Sequence, residues 1–138
     1  MIEYRMWTLG DPALERVAPG VFDRPVQSDW SEEFARDPRH HLAIAVDDGL
    51  LVGVVSALDY VRPDKPPEMF INEVSVATDY RGRGIGRELM RLMLDHARSL
   101  GLREAWLLTD EGNAAARAMY KATGAHEKPQ LLQWFDLE

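Results

Sequence analysis

Apolar and polar residues follow two different periods along the chain. An alternation of two, or a short run of β-branched and aromatic residues, is typical of strands and occupies residues 2–7, 42–46, 50–60, 69–76, 103–109 and 131–137. Apolar spacings of three and four, typical of one helical face, occupy residues 11–17, 28–37, 84–100 and 113–123. The pattern predicts one domain over residues 1–138 in the order β-α-α-β-β-β-α-β-α-β, with mixed strand directions.

Turn-forming residues separate the predicted elements. Asp47-Asp48-Gly49 predicts a hairpin, because its glycine stands where such a turn needs a positive φ. Gly53, inside the following strand, predicts a bulge or a close approach of another element. The segment 62–67 carries three prolines and predicts a stiff exposed loop, since proline donates no backbone hydrogen bond. Gly101 predicts the end of the longest helix.

The composition is that of a folded globular domain, with 138 residues of which 46% are hydrophobic and 28% charged. No apolar run approaches the roughly 18 residues of a membrane span, and the first residues lack the features of a signal peptide. The absence of cysteine excludes disulfides, thiolate nucleophiles and cysteine-zinc sites. The histidines show no metal-ligand spacing. We therefore expect a cytoplasmic protein without a membrane partner or a metal.

The distribution of charge is more informative than its total. The net charge of −7 argues against a nucleic-acid partner, which needs clustered cations. Residues 81–103 nevertheless carry six arginines against two acidic residues, whereas residues 1–67 carry seven basic and twelve acidic residues. This asymmetry suits an anionic ligand at the arginine-rich end and a cationic one over the acidic part. An acidic surface also serves solubility alone.

A glycine-rich turn connects the strand at 69–76 to the helix at 84–100. Its sequence is Arg81-Gly82-Arg83-Gly84-Ile85-Gly86, and Arg87 and Arg91 follow on the helix. Glycines let a ligand approach the backbone, and the first turn of a helix leaves about four N–H groups free for an anion such as phosphate. A tight turn with solvated arginines is the alternative reading. A dinucleotide fingerprint would need glycine at Arg87, and the Gly-Lys-Ser/Thr of a nucleoside-triphosphate loop is absent.

At this turn the sequence resembles the GNAT superfamily of N-acetyltransferases, whose motif is Arg/Gln-x-x-Gly-x-Gly/Ala after a hydrophobic strand. Arg81, Gly84 and Gly86 fit its fixed positions. The resemblance implies an α/β domain, α+β in some schemes, with a mixed, mostly antiparallel twisted sheet and helices on both faces. It also implies acetyl-CoA as cosubstrate, with the pyrophosphate on the N–H groups of residues 82–87.

A second motif lies on the last predicted helix, where Asn113, Ala116 and Tyr120 share one side. Taken alone, Asn113 is an N-cap and Tyr120 a core aromatic. The resemblance implies instead that Asn113 bonds the pantetheine or acetyl region, that Ala116 leaves room for it, and that Tyr120 lies near the sulfur. The full set of cofactor contacts it implies is Val74, Ser75, Val76, Arg81, Gly82, Arg83, Gly84, Ile85, Gly86, Arg87, Asn113, Ala116 and Tyr120.

Acetyl transfer to an amine defines further roles. An amine with a reference pKa of about 10.4 must lose a proton before it attacks, and Glu73 and Asp110 are the candidate bases. Glu73 as a salt-bridge partner and Asp110 as a turn former are the structural alternatives. Tyr120 is the candidate proton donor to the thiolate, whose reference pKa is about 8.5. The resemblance implies a bulge of the strand at Val74, and the Val74 N–H would then polarise the thioester carbonyl. Transfer is expected to be direct, without an acetyl-enzyme.

Within the superfamily the chain is most similar to the aminoglycoside 3-N-acetyltransferase group, from about Phe22 onward. The shared segments are 73–76, 109–113 and 134–137. That group commonly has Asp at the positions of Glu73 and Asn113. The resemblance implies an aminoglycoside or another small cationic amine as acceptor and a homodimer through the terminal strands. A protein lysine or N-terminal acetyltransferase, or a non-catalytic acetyl-CoA sensor, are the alternatives.

Overall fold

The computed structural model describes all residues 1–138. In chain order its elements are β1 (Ile2–Met6), a 3₁₀ helix (Pro12–Glu15), α1 (Ser28–Arg36), β2 (His40–Asp47), β3 (Leu50–Arg62), β4 (Lys65–Val76), a 3₁₀ helix (Thr78–Tyr80), α2 (Ile85–Ser99), β5 (Ala105–Trp106) and α3 (Ala114–Ala122). The strands form one sheet in the order β1-β2-β3-β4-β5. The first four pair antiparallel and β5 pairs parallel to β4, which confirms the mixed, mostly antiparallel sheet.

Helices cover both faces of this sheet, as predicted. Successive strand residues point to opposite faces. His41 contacts His96 of α2, while its neighbour His40 stacks on Phe34 of α1 at a ring distance of 5.1 Å. Burial on both sides explains why residues 42–46 of β2 are all apolar and why the first half of β3 is almost wholly apolar.

The longest helix, α2, packs directly on β3. Ile85, Leu89 and Met93 are fully buried at this contact, and a Cβ added to Gly53 would lie 2.9 Å from Leu89 Cδ1. The close approach predicted from Gly53 is therefore confirmed, and a larger residue there would require the side chain of Leu89 to move. Gly101 has φ 78 just beyond the helix, which confirms the predicted stop.

The predicted turn between β2 and β3 is confirmed, but the loop expected at residues 62–67 is wrong. Asp48 and Gly49 have φ 47 and 81, the conformation of a tight hairpin. At the next connection β3 continues to Arg62 and β4 begins at Lys65, so the two strands pair almost to the tip. The register shifts between Tyr60 and Arg62, opposite the prolines of β4. Proline is tolerated at such irregularities and on sheet edges.

The strand predicted at 131–137 is also absent. Residues 126–138 form no backbone–backbone hydrogen bond, although their apolar alternation is clear. Alternation makes a strand only where an edge is available to pair with, and the tail pairs with none in its own chain. The strand predicted at 103–109 is reduced to Ala105–Trp106, because the chain leaves β4 beyond that point. None of the helices is both long and apolar enough to cross a membrane.

A chain of polar side chains joins the sheet to the C-terminal half of α2. His41 Nε2 lies 2.7 Å from Asp59 Oδ1, and His96 Nε2 lies 3.0 Å from His41 Nδ1. Burial, and then the neighbouring His41, lower the pKa of His96 from its ordinary value, while Asp59 acts in the opposite direction. Folding is therefore coupled to the protonation of His96.

The stability of the fold should decrease in mildly acidic solution. Unfolded His96 has a pKa of about 6.5 and the folded residue a lower one, so the unfolded chain binds more protons in between. The contribution of neutral His96 to the free energy of unfolding is therefore complete above about pH 6.5, and it is lost as the pH falls toward the pKa of His96 in the folded protein. We expect the urea midpoint to fall from pH 8 to pH 5, and less steeply in His96→Gln.

His126→Gln is the matched control for this prediction, because His126 is an exposed histidine in the tail. It should keep the pH dependence of the wild type. An equally steep fall in His96→Gln and in wild type would contradict the role given to the His96 proton.

Candidate functional site

The turn before α2 presents a row of free backbone donors. The N–H groups of residues 82–87 donate no hydrogen bond within the protein, and the first paired amide of the helix is that of Glu88, which donates to Gly84 O at 3.1 Å. Gly82 and Gly84 have φ 78 and 79, and a Cβ added to either would enter open space. At these two glycines, no other part of the protein covers the free N–H groups. These features fit the pyrophosphate of coenzyme A.

The arginines of the turn separate into two groups. Arg81 and Arg87 line the cleft described below, and Arg81 Nε lies 3.4 Å from Val76 O. Arg83 lies over the Tyr80 ring, 4.8 Å from its centroid, and donates to Asp79 O at 3.2 Å. Arg83, which the sequence prediction counted among the cofactor contacts, is not among the residues that line the cleft, although Tyr80 is.

A cleft of about 920 Å³ opens from this turn between β4 and α3. It is lined by most of the predicted site, namely Glu73, Val74, Val76, Arg81, Gly82, Gly84, Ile85, Gly86, Arg87, Asp110, Asn113, Ala116 and Tyr120. Ser75 is not among them, and its Oγ donates to Gly20 O at 3.0 Å. The structure therefore brings together residues that lie up to 47 positions apart, from Glu73 to Tyr120.

A bulge in β4 shapes one wall of the cleft. Ser56 pairs with Glu73 and Ala57 with Ile71, so Asn72 is the extra residue of β4. Beyond the bulge, Ala77 N–H donates to Val52 O. Bonded and non-bonded pairs alternate along an antiparallel ladder, so the N–H groups of Val74 and Val76 point away from β3. They face the side where β5 has already diverged, and donors are therefore available there.

Glu73 stands out among the carboxylates of the protein. It is the one partly buried carboxylate without an ion-pair or hydrogen-bond partner. The other five each have one: Asp11 with Arg5, Asp37 with His40, Asp47 with Tyr80, Asp59 with His41 and Glu68 with Arg62. Burial, and then the charge of Asp23, raise the pKa of Glu73 above its ordinary value. Such a group holds a proton more readily than an exposed carboxylate.

The opposite wall is formed by α3. Asn113 is its N-cap, with Oδ1 accepting from Ala116 N at 3.1 Å, as expected from the residues alone. Its amide nitrogen remains free to donate to a ligand. Tyr120 is partly buried and its hydroxyl has no hydrogen-bond partner in the protein. Burial raises the pKa of Tyr120, so the phenol keeps its proton at neutral pH.

Several lining residues had escaped prediction: Asn72, Tyr80, Leu108, Thr109, Ala115, Met119, Gln130 and Leu132. Asn72 did leave a signal, because two polar residues in succession between Ile71 and Val74 interrupt the strand alternation and indicate a bulge. Gln130 and Leu132 reach the cleft from the irregular tail. No local sequence pattern predicts that contact. No group of three or more potential metal ligands is assembled in the structure.

The chain belongs to the acetyltransferase (GNAT) family, whose model matches residues 6–125. It is 35% identical over 116 residues to the streptothricin acetyltransferase of Streptomyces lavendulae, covering 83% of this chain and 58% of that protein. It is 32% identical over 98 residues to the L-2,4-diaminobutyric acid acetyltransferase of Nocardia farcinica, and the match covers 71% of this chain and 50% of that protein. Identity to the N-alpha-acetyltransferase RimI of Mycobacterium tuberculosis is 34% over 106 residues, covering 77% and 59%. The chain thus spans little more than half of these relatives.

Solved structures share the whole fold. An aminoglycoside acetyltransferase from an uncultured soil metagenomic sample superimposes with a TM-score of 0.82 at 14% identity, covering 99% of this chain and 96% of that one. The aminoglycoside N-acetyltransferase AAC(6')-Iy in complex with CoA gives a TM-score of 0.77 at 22% identity, covering 99% and 95%. At these identities the likeness shows the fold alone.

The phosphate assignment can be tested by filling the turn. Gly84→Asp places a carboxylate beside the free N–H groups, so it should abolish CoA binding in calorimetry through steric and charge repulsion. Gly10→Asp is the matched control, because Gly10 also has a positive φ, 90, with open space around its Cβ, outside the cleft. The control should bind CoA normally. Unchanged CoA affinity in a folded Gly84→Asp variant would overturn the assignment.

Proposed function

We propose that the protein is an acetyl-CoA-dependent N-acetyltransferase that moves an acetyl group directly to a primary amine. The unpaired, partly buried carboxylate of Glu73 carries the proposal, because it lies in the same cleft as the free N–H groups of residues 82–87. The N–H row suits the pyrophosphate of acetyl-CoA, and the carboxylate suits a base for the amine. Family membership supports the same chemistry.

The base acts on the incoming amine. An alkylammonium has no lone pair, so it must lose a proton to Glu73, directly or through one water. The raised pKa of Glu73 makes it a stronger base than an exposed carboxylate and therefore a better proton acceptor. Asp110 lines the same cleft and remains the second candidate.

Two further groups assist at the thioester, where the carbon–sulfur bond breaks as the carbon–nitrogen bond forms. Bound acetyl-CoA supplies the thioester. The Val74 N–H, directed away from β3 beyond the bulge, can donate to the thioester oxygen as negative charge develops there. Tyr120 keeps its proton at neutral pH and can deliver it to the departing sulfur. No covalent enzyme intermediate is required.

A small cationic amine is the proposed acceptor, with aminoglycosides as one class. Glu73 and Asp110 give the cleft two carboxylates, which suits a cation. The names of two relatives, acting on streptothricin and on L-2,4-diaminobutyric acid, support this class. A protein N-terminus is a second candidate, favoured by the similarity to RimI. We place the reaction in the cytoplasm as part of the same proposal.

Thiol release from acetyl-CoA tests the function. The panel should contain aminoglycosides, polyamines, amino acids and peptides with a free N-terminus or lysine, at pH 6 to 9. Acetylation of at least one amine, confirmed by mass spectrometry of the product, is the expected result. Measurable acetyl-CoA binding without transfer to any amine would favour the sensor alternative instead.

The role of Glu73 leads to a quantitative prediction. Glu73→Gln keeps the shape of the side chain but removes the proton acceptor, so kcat/KM at pH 7 should fall by about a hundredfold or more, as is usual for loss of a general base. Affinity for CoA should be retained. Asp110→Asn removes the same charge from the other wall of the cleft; if that variant carries the larger loss, Asp110 is the base.

A homodimer is also part of the proposal. The tail exposes apolar side chains that a lone chain leaves in water, among them Trp134 and Phe135 at 80% and 85% exposure. The sheet ends at β5, whose outer edge has no partner. A tail that alternates as a strand and an open strand edge complement each other between two copies.

Removal of the tail should therefore abolish dimerisation. We expect light scattering to give about twice the 15.7 kDa of one chain for the full protein and a monomer for residues 1–129. Asp136→Asn is the control, because it changes the tail charge and keeps its apolar residues, so it should remain dimeric. A full-length monomer at micromolar concentration would contradict the dimer.

A further inference from the structure

The bulge of β4 places the side chains of Asn72 and Glu73 on the same face of the sheet. His41 faces α2 and its partner Ala57 does too, so Ser56 faces the opposite side. Glu73 pairs with Ser56, and residues directly opposite each other on paired strands share a face. Ser56 Oγ and Asn72 Oδ1 lie 2.5 Å apart, which places Asn72 on that face as well. Two successive residues of a regular strand could not share a face.

The amide group of Asn72 is held in one orientation. Ser56 is buried at 8% exposure, and Asn72 is the only residue hydrogen-bonded to its hydroxyl group. A buried hydroxyl group needs an acceptor for its proton, and of the two amide atoms only the oxygen can accept. Oδ1 therefore faces Ser56. The Nδ2 group lies on the other side of the planar amide and keeps both of its N–H donors free.

These free donors lie beside the unpaired carboxylate of Glu73. Both side chains belong to residues that line the cleft, and Asn72 is exposed there. A carboxylate accepts from an ammonium group, whereas an amide nitrogen donates to an oxygen, and the charge of Glu73 favours an uncharged oxygen over an anionic one. The Cα atoms of adjacent residues are about 3.8 Å apart, so the two ligand groups must also be close neighbours. An amine and a hydroxyl group on adjacent carbons fulfil these conditions.

We infer that Asn72 is a specificity residue that selects acceptors with a hydroxyl group on the carbon next to the one that carries the reacting amine. The inference rests on the proposed function, because it takes Glu73 as the carboxylate that faces this amine. The amine loses its proton to Glu73, while the hydroxyl oxygen accepts a hydrogen bond from Asn72 Nδ2. A vicinal amino alcohol should therefore be a better acceptor than the same amine without the hydroxyl group.

The preference can be measured with trans-2-aminocyclohexanol and cyclohexylamine, which differ by one hydroxyl group, at saturating acetyl-CoA. Wild type should show the higher kcat/KM for the amino alcohol. Asn72→Asp keeps an oxygen for Ser56 but removes both N–H donors, so it should lower the ratio of the two kcat/KM values by about fivefold, as expected for one hydrogen bond. The added charge acts on both ammonium groups alike and cancels in this ratio. The loss should appear in KM for the amino alcohol, because the hydroxyl group takes no part in bond making.

Two further variants complete the experiment. Gln27→Glu is the matched control, because it makes the same change from amide to carboxylate at an exposed position outside the cleft, and it should keep the wild-type ratio. Ser56→Ala removes the hydroxyl group that orients the amide but keeps the amide itself. It should lower the ratio, but by less than Asn72→Asp does. CoA binding reports whether each variant is folded.

The outcomes separate the inference from the proposed function. A wild-type ratio in a folded Asn72→Asp variant, or an equal loss in Gln27→Glu, would overturn the role of Asn72 while leaving acetyl transfer intact. If Asn72→Asp does not fold, Ser56→Ala decides, and a wild-type ratio there would overturn the inference. A wild type that acetylates other amines but not the amino alcohol would overturn it as well. Failure with every amine of the panel would instead contradict the proposed function.

Discussion

The early divergence of β5 from β4 is the constraint on which the site depends. The two strands pair only through Met69 and Phe70, where the Phe70 and Trp106 rings lie 4.4 Å apart. Trp106 Nε1 also donates to Tyr60 OH at 2.8 Å, which fixes β5 at that end. Beyond this point the backbone groups of β4 have no neighbouring strand, and buried groups of that kind need a partner. The cleft is therefore a gap between β4 and β5, in which an extended ligand can form hydrogen bonds with the free backbone groups of β4.

The cleft is lined by groups of opposite charge. The free N–H groups, Arg81 and Arg87 belong to the turn before α2 and the start of that helix, whereas Glu73 belongs to β4 and Asp110 to the segment before α3. The former attract anionic groups and the latter cationic ones, since charge complementarity acts over distances of about a Debye length.

The parts that sequence predicted are those encoded locally. Arg81, Gly84 and Gly86 lie within six residues, so the turn, its glycines and the following helix could be predicted together, and the α3 cap at Asn113 is equally local. Gln130 could not be predicted as a neighbour of the cleft, because it reaches the cleft from a segment without a periodic pattern. The tail at 131–137 shows the converse limit: its alternation predicts a strand, but a strand also needs a pairing partner, and the tail pairs with no edge of its own sheet.

The two prolines in β4 bear on how sheets from different copies can meet. Pro66 and Pro67 lie before the residues that β5 covers, so this stretch of β4 is an exposed margin of the sheet. Without N–H groups at these positions, and with Lys65 beside them, the margin is a poor template for an additional strand. Edge-to-edge growth of sheets is thereby discouraged at β4, which leaves β1 and β5 as the strand edges open to pairing.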